Sequence, residues 1–200
     1  MSMKALLLSL MLALAAGPLA AAPLRILAFG DSLTEGYGLP ASKGLVPQLQ
    51  AWLDARGHDV VVLNGGLSGD ISAGGRVRIG YSLARHRPDA VIVELGGNDL
   101  LMGFSPEMVE GNLNSILRQA GRKDRPLLLV GIALPQDRDA PLREEWAAIW
   151  PRTAARHDAL LLPNLYQPLY DGPRRSLPGL LQKDQVHASA KGGALIVETL

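Results

Sequence analysis

The sequence predicts an α/β fold, a three-layer α/β/α sandwich around a five-stranded parallel sheet in flavodoxin-like order, and three features carry the prediction. Five short apolar runs alternate with helix-length amphipathic stretches. The connections between most of them are short, and the runs are apolar throughout rather than alternating, the pattern of strands covered on both faces. Strand–helix alternation of this kind implies right-handed crossovers and a parallel sheet between helical layers.

The first strand is expected over residues 24–29. A helix over 44–56 follows, with Leu45, Leu49, Trp52 and Leu53 on one face and Gly57 placed to end it. The second strand is 60–64, and the second helix, 72–85, stops before Pro88. A third strand at 90–95 leads to a helix that opens on Ser105 as N-cap with Pro106 in its first turn, and runs to Ala120 with Gly121 behind it. The fourth strand is 127–132, the fourth helix 142–157 and the fifth strand 159–162. Segment 163–182 contains Pro163, Pro168, Pro173 and Pro178 with Arg174-Arg175, and reads as a long surface loop ahead of a last helix at 189–200. With no repeat, linker or composition break after residue 22, residues 23–200 are expected to form one domain, for which 200 residues is an ordinary size.

The N-terminus carries a targeting pattern. Lys4 precedes an apolar run over 5–16, then the break Gly17-Pro18 and the small residues Ala20-Ala21-Ala22, so residues 1–22 are expected to be a cleaved secretory signal peptide. The run is shorter than the roughly 20 apolar residues that span a bilayer, so no stable membrane anchor is expected and the product should be periplasmic or secreted. Lys4 is the only charged residue removed, which leaves 19 basic and 19 acidic residues and no excess of positive charge for a nucleic-acid partner. The absence of cysteine excludes disulfides, a thiol nucleophile, cysteine-ligated metal and an N-terminal lipid.

In open parallel sheets ligands bind beyond the carboxyl ends of the strands. Those positions hold Gly30-Asp31-Ser32-Leu33, then Gly65-Gly66-Leu67-Ser68-Gly69-Asp70, Gly96-Gly97-Asn98-Asp99 and Ala133-Leu134-Pro135, and finally, after the long segment, Asp184-Gln185-Val186-His187. Ser32 is a candidate nucleophile where the chain turns from strand to helix; the same stretch also suits a turn serine bonded to its own backbone. It is not in a G-x-S-x-G elbow, because Thr34 stands where that motif has glycine. Of the four histidines, His58 lies in a turn and His86 and His157 lie at helix ends. His187 differs, because Asp184 three residues earlier can fix its tautomer and stabilise an imidazolium. Gly69 and Asn98, with the Ser32 N–H, are candidate oxyanion donors from three loops, and Asn98 brings an amide where a carboxylate would repel developing charge. Taken one at a time, "SGD" also reads as a helix start capped by Asp70 and "GGND" as an Asx turn.

Together these stretches resemble the SGNH/GDSL hydrolase family, and within it the exported thioesterase I/lysophospholipase/arylesterase group of Gram-negative bacteria. "FGDSLTEGYG" resembles the first block, with Ser32; "GLSGDIS" the second, with Gly69; "VELGGNDLLMGF" the third, with Asn98; and "DQVH" the last, with Asp184 and His187. The resemblance implies a Ser32-His187-Asp184 triad, an oxyanion hole from Ser32, Gly69 and Asn98, no metal or other cofactor, and hydrolysis of acyl esters and thioesters through an acyl-enzyme. It also places the acyl chain along Leu100, Leu101, Met102 and Phe104 and beside Leu134 and Pro135, where about 0.8 kcal/mol per buried methylene would favour chains longer than acetyl. The implied partner is a small acyl ester or thioester, with lysophospholipid as one candidate. The group usually has a glycine just before the histidine and a proline after it, whereas here Gln185-Val186 precede His187 and Ala188-Ser189 follow. Two other readings stay open at this point: a carbohydrate acetylesterase on the same scaffold, and a flavodoxin-like binding module, which has neither G-x-G-x-x-G nor a Walker pattern to support it.

Overall fold

The structure is a computed structural model that describes residues 22–122, 124–134, 139–172 and 175–200. The expected signal peptide, apart from Ala22, lies outside the described residues, as does Pro135. The sheet contains β1 (Leu24–Gly30), β2 (Val60–Gly66), β3 (Ala90–Glu94), β4 (Leu127–Val130) and β5 (Leu160–Leu162). All pairings are parallel and the order is β2-β1-β3-β4-β5, the doubly wound order expected from the sequence. Because β1 has β2 on one side and β3 on the other, the chain reverses its direction of winding beside the carboxyl end of β1. That crevice is where Ser32 emerges.

Why the strands are apolar throughout is visible in β1. Leu27 and Phe29 join one buried cluster with Ile79, Leu95, Leu113, Ile116, Leu129 and Trp150, while Ala28 between them joins a second cluster with Val46, Leu49, Val130, Leu165, Leu169 and Ile196. The first cluster packs under α3 (Ser72–His86), α5 (Pro106–Ala120) and α6 (Ala140–Arg156); the second packs under α2 (Leu45–Asp54) and α7 (Ala190–Val197). Successive side chains of a strand point to opposite faces, so two helical layers demand apolar residues at every position. The sheet edges are less covered: Leu160 of β5 is 73% exposed. Among the described residues no helix is long and apolar enough to cross a membrane.

Helix ends follow the expected chemistry in part. The Ser105 hydroxyl accepts from the Met108 N–H at 3.3 Å, capping α5 with Pro106 at its first position. Gly57, at φ 76°, turns the chain out of α2, whereas α3 ends on Arg87 in the left-handed region at φ 45°.

Three departures from expectation bear on the site. Gly65 and Gly66, expected in a turn, belong to β2 and pair with Phe29 and Gly30. The lack of side chains permits it, since a Cβ on Gly66 would overlap the backbone of Thr34 and Glu35, and one on Gly30 would overlap Thr34 and Glu94. Two short helices, α1 (Ser32–Glu35) and α4 (Gly97–Leu101), begin within stretches read as glycine turns. Finally, segment 163–182 is not a surface loop. Leu165, Leu169 and Leu180 are buried in the second cluster, and a 3-10 turn at Gln167–Leu169 leads into a small hairpin of β6 (Tyr170–Asp171) and β7 (Arg175–Ser176). Leucines among the prolines anchor the segment, and its end brings Gln182 and then His187 into hydrogen-bonding reach of Tyr37 and Ser32.

Candidate active site

The local sequence dictates how Ser32 is presented. Asp31 caps α1, its Oδ1 accepting from the Leu33 N–H at 3.1 Å, and Gly36, at φ 95°, ends the helix after four residues. Ser32 is thus the first helical residue, where the backbone N–H has no acceptor within the helix. Its hydroxyl oxygen lies 2.9 Å from His187 Nε2, across 155 residues of sequence.

The imidazole is fixed from behind. His187 Nδ1 lies 2.8 Å from Asp184 Oδ2, and Asp184 Oδ1 accepts from the N–H groups of Val186 and His187, each at 3.0 Å. The Val186 N–H, then the bond to the His187 ring and the His187 N–H, pull the Asp184 carboxyl down to about 2. An ionised carboxylate only accepts, so Nδ1 must carry the proton that it receives, and Nε2 is left to accept from the Ser32 hydroxyl. Tyr37 packs its ring against the imidazole, with centroids 4.8 Å apart. A hydroxyl, an imidazole in this tautomer and a carboxylate in line form a relay that can draw a proton from the hydroxyl while an imidazolium is stabilised.

Gly69 lies three residues beyond β2, and Asn98 lies in the first turn of α4, four residues beyond β3. A Cβ on Gly69 would meet nothing within 4 Å, but its φ of 79° lies in the left-handed region, so conformation rather than crowding calls for glycine. The Asn98 side-chain amide donates to the Asp70 carbonyl at 2.8 Å and lies 3.3 Å from Asp31 Oδ2. Asp70 does not cap α3: the residue ahead of that helix is Ile71, and the Asp70 carboxylate instead takes Arg78 Nε at 2.6 Å. The rest of that guanidinium donates to the carbonyls of Gly65 and Gly30, both at 2.7 Å, and it stacks on the Phe29 ring. Ser72, at the start of α3, donates its N–H and hydroxyl to Asp99 at 2.8 and 2.6 Å, and Asn112 donates to the Ser72 hydroxyl. Three loops are therefore locked to one another by polar side chains.

The expected acyl wall divides. Leu100, Phe104 and Leu134 are half-buried against the first cluster, while Leu101 and Met102 are 64% and 61% exposed. A small pocket beside Ser32 and His187 is lined by Leu33, Gly36, Tyr37, Leu39, Leu45 and Gln182, none of which the sequence reading placed at the site.

Also missed was Glu94, at the last position of β3 and 4% exposed. Its Oε2 accepts from the Thr34 hydroxyl at 2.8 Å and from the Asp31 N–H at 3.4 Å. Burial, followed by the neighbouring Asp31, pushes its carboxyl well above the ordinary range. Burial likewise pushes Asp31, 6% exposed, up to about 6, partly offset by the Leu33 N–H and by His187. A lone acid ending the otherwise apolar run Ala90-Val91-Ile92-Val93 was the available signal.

Comparison with known proteins places this geometry. Residues 28–195 match the GDSL-like lipase/acylhydrolase family. The esterase TesA of Pseudomonas aeruginosa is 34% identical over 198 residues, covering 99% of this chain and 96% of its own. Thioesterase 1/protease 1/lysophospholipase L1 of Escherichia coli K12 is 34% identical over 179 residues, 90% of this chain and 82% of its own. A crystal structure of TesA superposes with a TM-score of 0.81 at 33% identity, over 88% of this chain and 94% of that one. Matched by sequence and by fold over nearly all of the described residues, the chain belongs to the GDSL-like lipase/acylhydrolase family.

Proposed function

We propose that this chain is an exported serine esterase that hydrolyses acyl esters and thioesters. The observation that carries the reading is the unbroken sequence of contacts Ser32 Oγ to His187 Nε2 at 2.9 Å and His187 Nδ1 to Asp184 Oδ2 at 2.8 Å. Ser32 Oγ adds to the acyl carbon as its proton passes to Nε2, and Asp184 stabilises the imidazolium. The N–H groups of Ser32 and Gly69 receive the oxyanion, joined by the Asn98 amide as it turns from its longer contact with Asp31, at 3.3 Å, while keeping the Asp70 carbonyl at 2.8 Å. Collapse of the adduct breaks the bond to the leaving alcohol or thiol, which takes the proton from Nε2. Water, deprotonated by the same nitrogen, then releases the acid and restores the hydroxyl. The names of the relatives support esters and thioesters as substrates, with lysophospholipid among them. Residues 1–22 act as the export signal, a reading supported by Lys4, the apolar run and Ala20-Ala21-Ala22.

Hydrolysis of p-nitrophenyl esters from acetyl to decanoyl by residues 23–200, with Ser32→Ala alongside, tests this. The substitution is expected to lower kcat by roughly 10⁴-fold or more. The rate should rise beyond acetyl, as Leu100, Phe104 and Leu134 bury part of the chain. A rate that falls steadily from acetyl to decanoyl would sink the acyl-groove assignment and favour a carbohydrate acetylesterase. Unaltered hydrolysis in Ser32→Ala would sink the triad itself.

A further inference from the structure

Two buried carboxyl groups lie directly beneath the nucleophile turn, and the reaction steps above use neither. Asp31 comes from the turn itself and Glu94 from the end of the neighbouring strand, and the Asp31 N–H points at Glu94 Oε2. The polar groups in contact with Glu94 are the Asp31 N–H and the Thr34 hydroxyl, and burial together with the neighbouring Asp31 and Tyr166 sets its electrostatic surroundings. Facing Asp31 are Glu94 from β3, Asp70 from the Gly69 loop, the Asn98 amide from α4, the Leu33 N–H and, as its one titratable cation, His187. Arg78, whose guanidinium donates to the Gly30 carbonyl beside the turn, is committed to Asp70 and to two carbonyls.

Two carboxyl groups packed at adjoining strand ends, where Glu94 accepts from the backbone N–H of Asp31 at 3.4 Å and both side chains are excluded from water, are not both ionised at neutral pH. We infer that Asp31 and Glu94 form a one-proton pair, in which Glu94 keeps the proton and pins the turn of Ser32, while Asp31 holds a single negative charge toward His187 and Asn98. Asp31 is thereby a positioning residue. Its charge favours the imidazolium that forms as Ser32 attacks. The directions in which burial drives both carboxyls agree with this division. The inference rests on the esterase reading. Under it, the ionisation of Asp31 adds a further proton to the acid limb of kcat/KM, and protonating Asp31 should cost about as much activity as replacing it by asparagine.

The pH dependence of ester hydrolysis by Asp31→Asn, Glu94→Ala and Glu94→Gln tests the pair. Asparagine caps a helix as well as aspartate, so Asp31→Asn removes charge and keeps the turn. It should reduce the acid limb to one proton and lower kcat about tenfold, the equivalent of one pKa unit of lost imidazolium stabilisation, with KM unchanged. Glu94→Ala should lower kcat without raising KM, and Glu94→Gln, which keeps a neutral acceptor for Thr34 and Asp31, should restore most of the loss. An Asp31→Asn enzyme with the wild-type slope and kcat overturns the role of Asp31. Glu94→Gln no better than Glu94→Ala overturns the assignment of the proton.

If the variants do not fold, absolute infrared spectra of the wild type in D2O, recorded at steps from pH 5 to 8, decide. One carboxylic acid band should persist at pH 8 and a second should disappear on the way. Absence of any protonated carboxyl at pH 8 refutes the pair. The infrared bands do not depend on catalysis, so they survive a failure of the esterase reading, which is marked separately by unaltered hydrolysis in Ser32→Ala.

Discussion

Gln185 sits at φ 59°, in the left-handed region, between the two residues that orient one another behind Ser32. The chain needs that turn so that the Asp184 carboxylate can fold back on the N–H groups of Val186 and His187. A residue with a Cβ adopts it at a cost of roughly 1–2 kcal/mol. Glycine adopts this region freely. Gln185→Gly is therefore expected to stabilise the protein. The exposed bond from Gln185 Nε2 to the Gln182 carbonyl is lost, so the net gain should be below 1–2 kcal/mol and the rise in Tm about 2–4 °C. A thermal melt of the variant beside the wild type checks it, and a lower Tm would mean that the side chain contributes more than the backbone strain. Glu94 was legible only as an oddity, an acid in an apolar strand. Its partners Thr34 and Asp31 lie about 60 positions away, and no local pattern links them.

At the scale of elements, the five sheet strands and five main helices were legible because each carries a run or a period long enough to recognise. Helices of four and five residues, α1 and α4, complete barely a turn and have no period to detect. Residues 163–182 were misread for a different reason. Proline marks a chain that does not form regular structure, but burial is decided by Leu165, Leu169 and Leu180, and irregular backbone can still line a core. That packing also places Gln182, whose side-chain amide donates to the carbonyls of Tyr37 at 2.9 Å and Ala188 at 3.0 Å while its backbone N–H donates to the His187 carbonyl at 2.8 Å. One side chain thus clamps the turn that follows Ser32 to the loop that carries His187. Removing it in Gln182→Ala should loosen their alignment, lowering kcat about tenfold with little change in KM, since proton transfer is sensitive to sub-ångström placement. Equal kcat in the two proteins would show that the apolar contacts of the segment hold the loop by themselves.

For the molecule as a whole, one sheet is shared by two apolar layers, and neither layer can keep its strands without the other. Trp52 reports on the layer under α2 and α7, and Trp146 and Trp150 on the layer under α5 and α6. Variants retaining only Trp52, or only the other pair, should lose their native fluorescence at the same urea concentration, coincident with the loss of far-ultraviolet circular dichroism. Separate midpoints would mean that 23–200 comprises two units rather than one. The contact between Ser32 and His187 closes a loop of 155 residues, and this has a consequence in time. A ribosome adding about 5–20 residues per second needs roughly 8–30 s to travel from the serine to the histidine. Throughout that interval the growing chain bears an ordinary alcohol with no base beside it. If Ser32 and His187 are the catalytic pair proposed above, hydrolytic power appears only when synthesis has passed residue 187 and both ends have met, so an interrupted or still-unfolded chain is harmless to the esters around it.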